Sequence, residues 1–232
     1  MPKSYNQDGL TSIHNHDFMK DPEFLSAYAR GVQAAGKDYQ WHWRVHLGLW
    51  AASIGAKLQG DFVECGVNFG FLSSSIMHYL QWDKLGKTFY LLDTFSGLDS
   101  RYVLPQEVDE GILEKNKKLF EIGFYTEVIH SVIQNFSEWK NISIISGSIP
   151  VTLLQVKTNS IAFLHIDMNC APPEIAALEY FWEKLVQGAP VLLDDYAYHD
   201  YHHQKYAMDK LAKRLGVCIA SLPTGQGLII KP

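Results

Sequence analysis

Cysteine is scarce in this chain of 232 residues: Cys65, Cys170 and Cys218 are the whole supply, and none has a partner at zinc spacing. A disulfide framework is therefore excluded as the organising device, and the three thiols, each in or beside an apolar run, are expected to be reduced and buried. Basic charge is also in deficit, with 20 Lys and Arg against 25 Asp and Glu and a net charge of -5. Nucleic acid and anionic membrane are poor partners for such a surface, so a small or neutral substrate is expected. The longest apolar stretches are interrupted by glycine, histidine or charge, which leaves no twenty-residue span and no recognisable leader, and predicts a cytoplasmic protein. The dinucleotide spacing G-x-G-x-x-G is missing as well.

What is present begins with the stretch Asp61-Phe62-Val63-Glu64-Cys65-Gly66-Val67-Asn68-Phe69-Gly70. An apolar strand over residues 62–65 runs into a turn punctuated by Gly66 and Gly70, and residues 71–82 carry Leu72, Ile76 and Leu80 at helical intervals. In an open parallel sheet such a turn lies at the carboxyl edge of a central strand, where a ligand can approach backbone that carries no side chain. Tight helix packing would equally account for the glycines. Glu64 is placed to meet the ammonium of an amino-acid-bearing ligand, and the strand Phe89-Tyr90-Leu91-Leu92-Asp93 ends in an acid suited to ribose hydroxyls.

With 47% hydrophobic and 13% aromatic residues the chain can fill one core and is read as one domain overall. Residues 1–59 are expected to form an arm and helices packed on a catalytic domain of residues 60–232. Residues 1–20 are polar and read as a loose arm. Pro22 opens a helix over residues 23–35 that Gly36 ends. From Gln40 a longer helix places Trp43, Leu47, Trp50 and Ile54 on one stripe, expected to pack on the sheet or to meet a second subunit as a homodimer. Arg44 and His46 could help line a ligand mouth.

Residues 101–123 are charged and only weakly helical, as in a lid. An amphipathic helix is predicted over residues 125–139, then a strand over 142–145 ending at Ser146-Gly147-Ser148, where a ring edge could be hydrogen-bonded. Further strands over 161–167 and 191–195 alternate with helices over 172–187 and 201–215, and residues 217–222 and 228–230 read as an antiparallel edge pair. This alternation predicts a doubly wound α/β sheet.

Strand after strand ends in an acid at one rim: Asp93, Asp167, Asp194 and Asp195. Like charges so gathered need a cation or a donor-rich ligand. Asp167, Asp194 and Asp195 offer hard oxygen ligands, which suits Mg2+ better than zinc, although the Asp194-Asp195 pair could simply cap its loop. His199 is the best placed of the following histidines to serve as a general base.

Four motifs in order, Phe62-Val63-Glu64-Cys65-Gly66-Val67-Asn68-Phe69-Gly70, Leu92-Asp93-Thr94-Phe95-Ser96-Gly97, Leu164-His165-Ile166-Asp167-Met168-Asn169 and Leu193-Asp194-Asp195-Tyr196, resemble those of the macrocin O-methyltransferase (TylF/MycF-like) group of class I methyltransferases. The resemblance runs from about Trp43 to the C-terminus. It implies a mostly parallel, Rossmann-like seven-stranded sheet with an antiparallel edge strand, and S-adenosylmethionine as methyl donor. It also implies Glu64, Gly66, Val67, Asn68 and Gly70 around the methionine part, Asp93 and Thr94 at the ribose, Gly147 and Ser148 at the adenine, and Asp167 touching the donor. By the same resemblance Asp167, Asp194 and Asp195 hold Mg2+, Asp167 is the proposed base, and the acceptor is a hydroxyl of a sugar or sugar-containing small molecule. Asn169 stands where the family's Asp-x-Asp motif has its second acid. A metal-free methyltransferase, a nicotinamide-dependent oxidoreductase and an idle binding subunit are the competing readings.

Overall fold

Four buried strands made of near-continuous apolar runs set the architecture, because such runs are stable only where both faces of a parallel sheet are covered. A computed structural model describes residues 4–126 and 128–232. In chain order the elements are a hairpin of β1 (Tyr5–Gln7) and β2 (Leu10–Ser12), then α1 (Pro22–Ala35), α2 (His42–Ala56), β3 (Asp61–Cys65), α3 (Phe71–Tyr79) and β4 (Phe89–Asp93). There follow α4 (Pro105–Asp109), α5 (Ile112–Glu121), α6 (Ile129–Asn135), β5 (Ile142–Ser146), β6 (Ile161–Ile166), α7 (Ala171–Phe181), β7 (Pro190–Leu193), α8 (His202–Leu215), β8 (Ala220–Ser221) and β9 (Gly227–Ile230).

The seven-stranded sheet has the order β5-β4-β3-β6-β7-β9-β8, with β3 to β7 parallel and β9 antiparallel to both its neighbours. Alternation along β3 divides the core. Val63 and Cys65 face α7 and α8 in one apolar cluster, while Phe62 joins α1, α2 and α3 in the other. Register then fixes the rim: Cys65 pairs with Leu92 and with Ile166, and Ile166 pairs with Leu193. The residues that follow these pairs, Gly66, Asp93, Asp167 and Asp194, consequently stand in one row at the carboxyl edge.

The structure corrects several expectations. Residues 1–3 lie outside the described residues, but the rest of the supposed loose arm contains a hairpin whose two-residue turn, Asp8 at φ 50° and Gly9 at φ 70°, suits the twist of its strands. On α2 the buried face is Arg44, Val45, Gly48, Leu49, Ala51, Ala52 and Gly55, not the Trp43–Ile54 stripe. Small residues win that face because the helix lies close on the sheet: a β-carbon on Gly55 would stand 2.6 Å from the Ala162 carbonyl oxygen. The large stripe turns outward, where Phe18 packs edge-on against Trp43 at 4.7 Å and stacks on His46 at 4.0 Å, while Trp50 stays 48% exposed.

Two long helices are shorter than the pattern suggested, since residues 82–84 and 182–184 tighten into 3-10 turns. The helix predicted over 125–139 shrinks to α6, and its Glu127 lies outside the described residues. Cys65 and Cys170 are buried thiols as expected, but Cys218 is exposed, beyond the end of α8. Among the described residues no helix is long and apolar enough to cross a membrane.

Candidate functional site

Each strand of the row continues its ladder by one hydrogen bond beyond its end. Gly66 N–H donates to Leu92 O at 2.8 Å, Asp167 N–H to Cys65 O at 2.8 Å, and Asp194 N–H to Ile166 O at 2.9 Å. The backbone of the rim is thus held rigidly, with its side chains projecting into a cavity of about 330 Å³. Gly66 is indispensable to this closeness. Its φ is 92°, and a β-carbon there would lie 1.7 Å from the Asp167 carbonyl oxygen.

Of the sequence-predicted residues, Glu64, Gly66, Val67, Asn68, Asp93, Thr94, Gly147, Ser148, Asp167, Asp194 and Asp195 all line this cavity. Gly70 does not. It sits at the start of α3, where a β-carbon would strike the Phe136 ring at 2.4 Å, so its smallness serves packing. His199 is a second correction: its side chain is 88% exposed, pairs with Asp200 at the surface and does not line the cavity. Arg44 lines the cavity and His46 does not.

Asp93 organises the glycine turn. One carboxylate oxygen accepts from Val67 N–H at 2.7 Å and Asn68 N–H at 2.8 Å, and the other from Phe95 N–H at 2.8 Å. Asn68 in turn donates to Phe124 O at 2.9 Å and accepts from Thr126 N–H at 3.1 Å, tying the glycine turn to the segment before α6. Across the cavity the Ser148 hydroxyl donates to Asp99 at 2.6 Å. Hydrogen bonds from Arg101 and Ser148 hold the Asp99 carboxyl well below the usual range.

Glu64 is 2% exposed. Its Oε1 meets His165 Nδ1 at 2.9 Å, while Oε2 is buried with no partner among the described residues. A buried carboxylate oxygen left bare at a cavity wall is a place for a cationic donor group, and this is the observation by which the site fits an amino-acid-bearing cofactor.

His165 is the residue the sequence reading missed. Its polarity inside the otherwise apolar run of β6 was the available signal. Burial alone would lower its pKa, but its contacts with Asp194 and Glu64 outweigh this and push it up to about 10. The imidazolium therefore bridges the donor-side acid to the carboxylate set. Arg44 is the second cation there, paired with Asp194 and, at 2.8 Å, with Asp8 of the N-terminal hairpin. Gln226, fully buried in the turn before β9, donates to Asp194 Oδ1 at 2.8 Å.

Three carboxylates close the far side. Asp167, Asp194 and Asp195 each present an oxygen within 4.8 Å of the others. Burial would raise Asp194, but Arg44 and His165 hold it well below the usual carboxylate range. Burial and the charge of Asp194 raise Asp195 to about 7 and put Asp167 well above its ordinary value. Asp195 Oδ2 is buried without a partner among the described residues. The hard donor set, its repulsion and that bare oxygen fit a divalent cation of the Mg2+ type. Asn169 lies alongside and accepts from the Tyr201 hydroxyl at 2.9 Å.

A doubly wound sheet of this strand order, with a glycine turn after its central strand and a ribose-height acid on the next, defines a class I methyltransferase. Solved structures share the fold: the O-methyltransferase NovP, at 17% identity and TM-score 0.68 over 81% of this chain and 79% of that one, and the calicheamicin methyltransferase CalS11, at 15% identity and TM-score 0.60 over 94% and 98%. The O-methyltransferase from Bacillus cereus, solved with S-adenosylhomocysteine, aligns at 15% identity and TM-score 0.53 over 94% and 91%. No curated protein matches by sequence. Residues 50–218 match the family described as Macrocin-O-methyltransferase (TylF), and the chain belongs to that family. It is an S-adenosylmethionine-dependent O-methyltransferase acting on a small molecule.

Proposed function

We propose that the enzyme methylates a hydroxyl of a sugar or sugar-containing natural product or polysaccharide precursor, assisted by Mg2+ at Asp167, Asp194 and Asp195. The observation that carries the reading is the meeting, in one cavity, of a bare donor-side acid, Glu64, with a three-carboxylate set. A related fold bears the name TDP-rhamnose 3'-O-methyltransferase, which supports a sugar acceptor here.

In this reading Glu64 takes the ammonium of the methyl donor and Asp93, through the turn it holds, sets the backbone of Val67 and Asn68 beneath it. Asp93 and Thr94 lie at the ribose, and Gly147 and Ser148 at the adenine. The bond between sulfonium and methyl breaks as the acceptor oxygen forms its own bond to carbon, and Asp167 accepts the hydroxyl proton. A bound Mg2+ would supply Lewis-acid polarisation of the acceptor hydroxyl. Leu119, Phe120 and Phe124 line the cavity, and alignment of donor and acceptor within it does most of the work.

We also assign residues 1–59 to an acceptor-side segment packed on a catalytic domain of residues 60–232, and the exposed Trp50 to a homodimer contact. Light scattering of Trp50→Glu against the parent protein tests the last assignment: equal masses would remove it. The metal is tested by turnover after chelation and dialysis. Full activity without added Mg2+ would leave the carboxylates as acceptor-pocket walls only.

A further inference from the structure

A second constellation of metal-ligating side chains lies outside the donor cavity. Glu110 stands between α4 and α5, in the segment that covers the donor site, and His202 and His203 open α8 on the body of the protein. Glu110 Oε1 is 3.0 Å from His203 Nε2 and 3.4 Å from His202 Nε2, and one ligand atom of each residue lies within 4.8 Å of the other two. A single hydrogen bond requires only one imidazole. Here two converge on the same carboxylate oxygen, and the spacing suits an ion: bonds of about 2.0–2.1 Å to zinc in a tetrahedron separate neighbouring ligand atoms by about 3.3 Å. Glu110 and His202 are half-exposed, His203 is partly buried, and all three line a cavity of about 350 Å³ with Asp200, so an ion can reach them from solvent.

We propose that Glu110, His202 and His203 bind a divalent ion of the zinc class, at a site separate from the hard carboxylate set. The two imidazoles are borderline ligands, and together with one carboxylate they favour such an ion over Mg2+. Position gives the site its consequence. Lys115 and Tyr201 line both cavities, the Lys115 ammonium lies 4.2 Å from the centre of the Tyr201 ring, and Tyr201 reaches Asn169 beside the carboxylates. An ion held by Glu110 on one side and by the histidines on the other fastens the covering segment to α8 at the edge of the acceptor pocket.

The test is calorimetric titration of chelator-stripped protein with zinc chloride, in excess Mg2+ to occupy the carboxylate set, comparing the parent with His202→Ala/His203→Ala and with Glu110→Gln. The expected result is one equivalent bound by the parent and a loss of at least about tenfold in affinity in the variants, since even partners that only orient a ligand are worth that much. Cobalt in place of zinc should give the intense visible absorption of a tetrahedral site in the parent alone. Unchanged S-adenosylhomocysteine affinity certifies the fold of each variant, and Glu110→Gln carries the comparison should the double variant fail to fold. Equal zinc affinity in parent and variants, or a weak octahedral cobalt spectrum, overturns the site. Unchanged amide exchange across residues 105–121 on zinc addition overturns the fastening.

Discussion

Gly66 illustrates how little freedom a single position at the rim retains. Substitution by alanine would force a left-handed backbone on a residue with a side chain and drive its β-carbon into the Asp167 carbonyl, 1.7 Å away. Backbone must move, and with it the strand tip that carries Asp167. We expect Gly66→Ala to lose about 3 kcal/mol or more of stability, checked by urea denaturation. Asp93 and Asp194 are separable in a different manner. Asp93 spends its oxygens on the turn beneath the donor, whereas Asp194 is held by Arg44, His165 and Gln226 beside the carboxylate set. Asp93→Ala should therefore weaken S-adenosylhomocysteine binding by roughly tenfold or more, from the loss of charge-assisted hydrogen bonds. Asp194→Ala should keep that affinity and lose turnover; calorimetry and a methyl-transfer assay on both variants decide, and equal loss of donor affinity would contradict the division.

Among the elements, α4 shows how the cover is anchored. Glu107 is buried, accepting from Leu104 N–H at 2.8 Å through one oxygen and from Ala171 N–H at 2.8 Å, the first residue of α7, through the other. Glu107→Ala leaves both donors unsatisfied and should cost about 2–3 kcal/mol while speeding amide exchange in α4 and α5. Unaltered exchange there would mean that apolar contacts alone hold the cover. The strands were legible from composition because buried parallel strands are unbroken apolar runs, and the acids that end them mark the rim. Helices were read too long where 3-10 turns preserve the apolar spacing for one more turn. The face of α2 was misassigned for a related reason: large apolar residues dominate any periodicity, whereas close approach to a sheet selects Gly48, Ala51, Ala52 and Gly55. Asp8-Gly9 did carry a hairpin signal, hidden by the polarity of the residues around it. Likewise no periodicity could reveal that His165 and Arg44 meet at Asp194, because that depends on the register of β6 with β7 and on the crossing of α2 over the sheet.

On the scale of the whole molecule, the rim is a store of buried charge, and the sign of its effect on stability follows from the direction in which each group is held. Burial and Asp194 raise Asp195 from 3.8 to about 7, and burial and Asp195 raise Glu174 from 4.5 to about 8. Each acid therefore contributes stability that is complete below its unfolded value and is lost as pH rises through the folded one. His165, raised from 6.5 to about 10 by Asp194 and Glu64 against the effect of burial, likewise contributes fully below about 6.5 and loses that contribution as pH climbs toward 10. Asp194 acts oppositely, but its stabilisation is lost only in acid below its ordinary 3.8. The ligand-free protein should thus melt highest near about pH 4 and progressively lower toward pH 9. A divalent cation at the carboxylates favours the ionised form of Asp195, attracting what Asp194 and Asp167 repel, so its stabilising effect should grow with pH across the same window. Melting temperatures of chelated protein, with and without Mg2+, measured at about pH 5.5 and 8 decide the matter. A melting point that rises with pH in the chelated protein would show that the rim acids are already satisfied by Arg44 and His165, leaving no electrostatic demand for a metal.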